Sequence, residues 1–209
     1  GYGRALDISA QGVYGLPRVD ATTIEELNAR FLAARRAAAE GKSHYRFVLK
    51  DKSRIAVSVT YLSGDRPVPA ADRVFFRNVC AMDLLLAPSM PMDLDKVSAE
   101  TGIPIHGLDD WVDAALKRLD GHLNAGAVAL KSALAYERSI YCPKVGAADA
   151  ERAFSSLFGA PADVPALNAD AKRVVENYVF HQILSYADRR GLPVQIHTGI
   201  QAGNGNILA

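Results

Sequence analysis

Residues 126–140 read GAVALKSALAYERSI and residues 191–206 read GLPVQIHTGIQAGNGN, and the fold turns on these two stretches. In each, a glycine ends a helical pattern and an uncharged run follows: Ala127-Val128-Ala129-Leu130 in the first, Pro193-Val194-Gln195-Ile196 in the second. Each run then meets a residue capable of chemistry, Lys131 or His197. Near-continuous apolar strands suit a parallel sheet covered by helices, because such a sheet is buried on both faces. In these folds the carboxyl ends of the strands, with the loops that follow, converge on the functional site.

The flanking sequence supplies the helices. Ahead of the first strand, HGLDDWVDAALKRLDGHLNAG places Leu108, Val112, Ala115, Leu116, Leu119 and Leu123 at three-and-four spacing, with Gly126 as the stop. Ahead of the second, Pro165 to Arg190 forms the longest helical pattern, with Val174, Val175, Tyr178, Val179, Ile183 and Tyr186 on more than one face and Gly191 at its end. Nearer the amino end, Thr23 and Glu26 form a capping box before Ile24, Leu27 and Phe31. A short helix is expected over His44–Lys50. Buried strands are expected over Ile55–Leu62 and Val79–Ala87, with Gly64-Asp65-Arg66-Pro67 as a surface turn and Pro88 closing the second strand. The third strand is AVALKSALA from Ala127, and the last is VQIHTG.

The order helix, strand, strand, helix, strand, helices, strand is that of an α/β protein. Both an open doubly wound sheet and part of a (β/α)8 TIM-type barrel fit it. A whole barrel takes about 250 residues; with four strands in 209 residues, a barrel here is incomplete. One domain over residues 1–209 is expected. Because the chain opens at Gly1 and stops at Ala209, just after a glycine-rich loop, an excerpt of a longer protein is expected.

Composition excludes several classes. Lys+Arg number 24 against 23 Asp+Glu, a net charge of +1, so neither a polybasic nucleic-acid surface nor disorder follows. No apolar run approaches the roughly 20 residues of a membrane span. Two cysteines, Cys80 and Cys142, make a disulfide framework improbable and suggest a reducing, cytoplasmic setting. The expected partner is a small-molecule substrate, with no nucleic acid, no membrane and a homo-oligomer as an option.

Lys131 and His197 are the candidate catalytic residues. A charged amine ending a buried strand is costly unless paired, modified or set in a polar cavity. Its bland alternative is an ion pair with a carboxylate such as Glu137. An imidazole in the same place suits a metal ion or proton transfer, and its bland alternative is a satisfied core histidine. Beyond Lys131, Tyr136 and Arg138 are candidate substrate-binding residues, Arg138 through its planar fork. Beyond His197, Asn204 and Asn206 could bond a ligand held close to Gly199, Gly203 and Gly205. That loop is neither a Walker A loop nor a dinucleotide fingerprint, since it lacks the Lys-Ser/Thr of the one and the third glycine of the other. Structural roles are expected for His44, His106, His122 and His181, and inert packing for Cys142.

Taken with GYGRALDISAQGVYG at the start and HYRFVLKDKSRIAVSV at 44–59, the two opening stretches resemble the amidohydrolase superfamily. The likeness is to its amidohydrolase-related branch, metal-dependent TIM-barrel hydrolases that include uronate-isomerase-like proteins. The resemblance implies that the chain holds about strands two to five of such a barrel. It implies that His197 is the strand-five metal ligand, and that Lys131 stands where some members carry a carboxylated lysine. The implied metal is divalent, Zn with Mn or Fe as rivals, and the implied reaction is attack of metal-activated water on an amide or ester. Decarboxylation or uronate-type isomerisation on the same barrel is an alternative, and a non-catalytic α/β binding domain is another. The chain departs from the pattern in having no His-x-His pair.

Overall fold

The structure, a computed structural model, describes residues 2–39, 43–61, 68–89, 91–158 and 169–198. These divide into two compact units. The first is drawn from Gly1–Val59 and Val68–Arg77, the second from Thr60–Pro67 and Asn78–Ala209. Strands β1 (Ser58–Thr60) and β2 (Phe76–Ala81) each run from the first unit into the second.

The first unit holds α1 (Tyr2–Tyr14), α2 (Ile24–Ala39) and a π-helical segment over Arg46–Lys52. The predicted helix at 44–50 is therefore present but wound more loosely. At the start of α2 the capping box is not made. The Thr23 hydroxyl accepts from the Asp20 N–H at 3.0 Å and donates to the Arg18 carbonyl, while Glu26 pairs with Arg30. Asp20 organises the turn instead, accepting from the N–H and the hydroxyl of Thr22 at 2.8 and 2.6 Å, which holds its carboxyl down at about 2.

Strand β1 is far shorter than the expected Ile55–Leu62, and Ile55, Val57 and Val59 are exposed rather than buried. Arg54 takes a left-handed φ of 53°, and the Ile55 N–H is spent on the Leu49 carbonyl at 2.7 Å. The chain is thus held in a turn until Ser58, whose N–H reaches Phe75 O at 2.8 Å. Leu62 lies outside the described residues.

The four strands form one sheet in the order β1-β2-β3-β4, with β3 over Ala127–Ser132 and β4 over Val194–Ile196. Pairing is parallel between β2 and β3 and between β3 and β4, matching Cys80 to Leu130 and Leu130 to Val194. This confirms an α/β fold with a parallel sheet. The expected second strand, Val79–Ala87, stops at Ala81 and gives way to a 3-10 turn over Asp83–Leu85. Its residues Leu85 and Leu86 are buried as a strand's would be, which is why an apolar run of this length does not reveal its own geometry. Likewise β3 ends at Ser132, and a 3-10 turn over Leu134–Tyr136 follows.

The helices of the second unit are α3 (Pro91–Thr101), α4 (Leu108–Asn124), α5 (Ala147–Phe158) and α6 (Ala169–Arg189). Helix α4 matches its expected limits, and Gly126 follows it at φ 102°. Its Trp111 lies at the centre of the core with Met82, Leu85, Leu86, Leu119 and Leu130, none more than 1% exposed, and donates its indole N–H to the Leu85 carbonyl at 3.1 Å. Helix α6 buries Val175, Val179 and Ile183 in the same core and packs on both α4 and α5, as its two apolar faces require. It ends in a Schellman motif: Leu192 N–H reaches Ala187 O, Gly191 N–H reaches Asp188 O, and Gly191 sits at φ 61°. Residues 165–168 of the expected helix lie outside the described residues. Among the described residues no helix is long and apolar enough to cross a membrane.

Candidate functional site at the carboxyl ends of the strands

Each strand delivers a polar side chain at or just past its carboxyl end: Tyr61 after β1, Asp83 after β2, Ser132 closing β3 and His197 after β4. Parallel pairing brings these ends to one edge of the sheet. The contacts among them are specific. The Ser132 hydroxyl donates to Asp83 Oδ1 at 2.7 Å, and the Ala133 N–H donates to Asp83 Oδ2. The His197 N–H donates to the Ser132 carbonyl at 2.8 Å. Tyr61 has its phenol pKa raised, first by burial and then by the negative charge of Asp83.

The His197 ring stacks on Tyr136, with centroids 4.2 Å apart and planes 15° from parallel. Its Nε2 atom is buried and has no hydrogen-bond partner among the described residues. The structure therefore brings together two of the residues picked from the sequence, His197 and Tyr136.

Lys131 lies on the face of the sheet away from the helix-packed core, because its strand neighbour Leu130 lies in that core and side chains alternate along a strand. It is half-buried between Ala81 on β2 and Gln195 on β4. Arg138 is taken up by α6. Its Nε sits 2.8 Å from Glu176 Oε2, an ion pair that lacks in-line hydrogen-bond geometry, while Nη2 donates to Asn177 Oδ1 at 2.9 Å and lies 3.6 Å from Cys142 Sγ. Lys172 adds a looser contact to Glu176 at 3.8 Å. Arg138 is thus partnered by Glu176. Burial pushes the Cys142 thiol up, against the opposing effect of Arg138, which suits the inert role expected of it. His181 contacts the Cys142 carbonyl at 2.9 Å, again structural. Asn204 and Asn206 lie outside the described residues.

Asp83, Ser132 and Tyr61 escaped the sequence reading. Asp83 carried a usable signal, since a lone acid in the apolar run 79–87 is open to the same argument that singled out Lys131. A cavity of about 280 Å³ adjoins this edge, lined among others by Asp83, Trp111, Leu134, Glu137, Lys172 and Glu176.

A divalent ion is what the sequence resemblance implies, and the Nε2 of His197, without a hydrogen-bond partner among the described residues, fits one position of such a site. Among the described residues no group of three His, Cys, Asp or Glu side chains could hold a metal ion. These residues by themselves do not complete a site.

No family model matches the chain, and no curated protein matches it in sequence. Solved structures do resemble it. Glucuronate isomerase from Caulobacter crescentus matches 92% of the chain with a TM-score of 0.63 at 18% identity. A protein from Lactobacillus casei ATCC 334, provisionally assigned as a metal-dependent hydrolase, matches 76% with a TM-score of 0.48 at 13% identity. The chain spans 40% of the length of each. At such identity the first likeness establishes a shared fold, and no argument rests on the second.

Proposed function

We propose that the chain contributes one side of the active site of a metal-dependent hydrolase on a (β/α)8 barrel, of which it supplies about strands two to five. The carrying observation is the Nε2 of His197 at the carboxyl end of β4, a buried atom without a hydrogen-bond partner among the described residues, on a ring stacked on Tyr136 and a backbone N–H held by the Ser132 carbonyl. An imidazole nitrogen left without a partner in a buried place is costly unless something occupies it, and neutral imidazole is a common ligand of Zn²⁺, with Mn²⁺ or Fe²⁺ as rivals. A bound ion of this kind supplies a Lewis acid and a water deprotonated near neutral pH. The chain's own residues orient and enclose: Tyr136 covers one face of the imidazole, and Asp83 with Ser132 ties the ends of β2 and β3 together. Lys131 is proposed to act on the substrate and Asn204 and Asn206 to bind it, with Arg138 holding the loop that carries Tyr136.

A second reading, isomerisation of a sugar acid, draws on the likeness to the glucuronate isomerase over 92% of the chain. Metal analysis of the purified protein tests the common part. Bound divalent ion at near-stoichiometric level, lost in His197→Ala, supports the reading, and equal metal content in both removes His197 from the site. Assay of esters and amides against uronates then separates the two reactions.

A further inference from the structure

We infer that Asp83 is a positioning residue that sets the His197–Tyr136 stack through Ser132. Both rings are tied to the segment that Asp83 grips. Its two carboxylate oxygens are divided between the Ser132 hydroxyl and the Ala133 N–H. Ser132, fully buried, is the junction: its side chain is bonded to Asp83 beyond β2, and its carbonyl receives the His197 N–H beyond β4. The same hydroxyl accepts from the Leu134 N–H at 3.3 Å, and the Ala133 carbonyl accepts from the Tyr136 N–H at 3.0 Å, so the 3-10 turn that ends in Tyr136 starts from the two residues that Asp83 holds. One carboxylate thereby fixes the turn bearing the tyrosine, while the backbone of the same serine fixes the strand end bearing the histidine. Side chains that orient a ligand residue from behind commonly matter nearly as much as the ligand itself.

The task of Asp83 in this scheme is geometric and needs no charge. Asparagine meets it, since its amide oxygen can accept from Ala133 N–H while its NH₂ donates to Ser132 Oγ, a hydroxyl being both donor and acceptor. Alanine does not. The inference rests on the proposed function only for what the imidazole does, and its test is independent of any reaction.

The stacked phenol shifts the ring protons of His197 upfield, which is read by NMR on the full chain, with Tyr136→Leu defining complete loss. Asp83→Ala is expected to lose at least half of that shift and Asp83→Asn to keep most of it. An unchanged shift in Asp83→Ala, or equal loss in both variants, overturns the inference, the latter because it would point to charge. If Asp83→Ala does not fold, Ser132→Ala decides: it lacks the hydroxyl but keeps the carbonyl, and an unchanged shift there overturns the inference equally. Titration of the wild-type chain with zinc chloride, watching the same resonances, tests the metal reading separately, and its failure leaves the result for Asp83 standing.

Discussion

His197 and Tyr136 lie ring on ring, 4.2 Å between centroids and 15° from parallel, although they stand 61 positions apart in sequence. Tyr136 is 45% exposed, so the stack has one open side. An aromatic pair of this kind contributes about 0.5–1.5 kcal/mol beyond its buried area. Tyr136→Leu is expected to destabilise the chain by about 1 kcal/mol and to uncover His197, raising its reactivity toward diethyl pyrocarbonate. Unchanged reactivity would show that the phenol does not shield the imidazole.

The Arg138–Glu176 pair makes a stronger claim. Both side chains are close to nine-tenths buried, at 12% and 10% exposure, and they join the loop after β3 to α6. Removing one partner of a buried pair leaves the other charge stranded, at a cost of about 3–5 kcal/mol, whereas removing both with apolar residues of similar size is often near neutral. Glu176→Leu alone is therefore expected to lower the urea midpoint strongly, and Arg138→Met with Glu176→Leu to recover much of the loss. If the double variant is as unstable as the sum of the singles, the pair is not coupled and Arg138 is held by Asn177 instead.

What could be read from sequence follows from what periodicity encodes. Helix α4 and helix α6 announce themselves because their apolar faces repeat at helical spacing and glycines stop them. Helix α3 does not, burying little beyond Val97 and Thr101, whereas α5 does carry a face, Ala150, Ala153, Phe154 and Leu157 at three-and-four spacing, a signal the sequence reading passed over. Strand ends were legible to within a few residues, but the apolar run after Cys80 concealed the turn at Asp83, since buried turns and buried strands use the same residues. His197 and Tyr136 could each be selected from the strand-end rule. Their stacking could not, because it depends on the parallel register of β3 with β4 and on the hydrogen bonds through Ser132. The engagement of Arg138 by Glu176 was equally hidden, 38 positions away in another element.

Two glycines give opposite expectations for one substitution. A Cβ at Gly121, inside α4, or at Gly191, after α6, would meet nothing within 4 Å. Space is equal, so backbone conformation decides. Gly191 holds φ 61° in its Schellman motif, and an L side chain there costs about 1–2 kcal/mol. In α4 the helical backbone favours alanine over glycine by up to about 1 kcal/mol. Gly191→Ala is expected to lower the thermal midpoint and Gly121→Ala to raise it; the same sign for both would contradict the helix end.

Tyr186 gives the chain an alkaline limit. Its hydroxyl donates to Asp120 Oδ1 at 2.7 Å, and the same carboxylate oxygen lies 2.6 Å from Arg190 Nη2, while the guanidinium rests 4.9 Å above the tyrosine ring. Burial comes first, then the hydrogen bond and charge of Asp120, and together they push the phenol up to about 12 against the lesser opposing effect of Arg190. The folded chain thus keeps a proton that the unfolded chain releases near 10. Stability from this group is fully present below pH 10 and is lost as pH rises through about 12. Tyrosinate absorbance should show a tyrosine titrating near 12 that Tyr186→Phe removes, and unfolding midpoints of the variant should fall less steeply above pH 10 than those of the wild type. A difference titration centred near 10 would show that Asp120 does not hold the phenol.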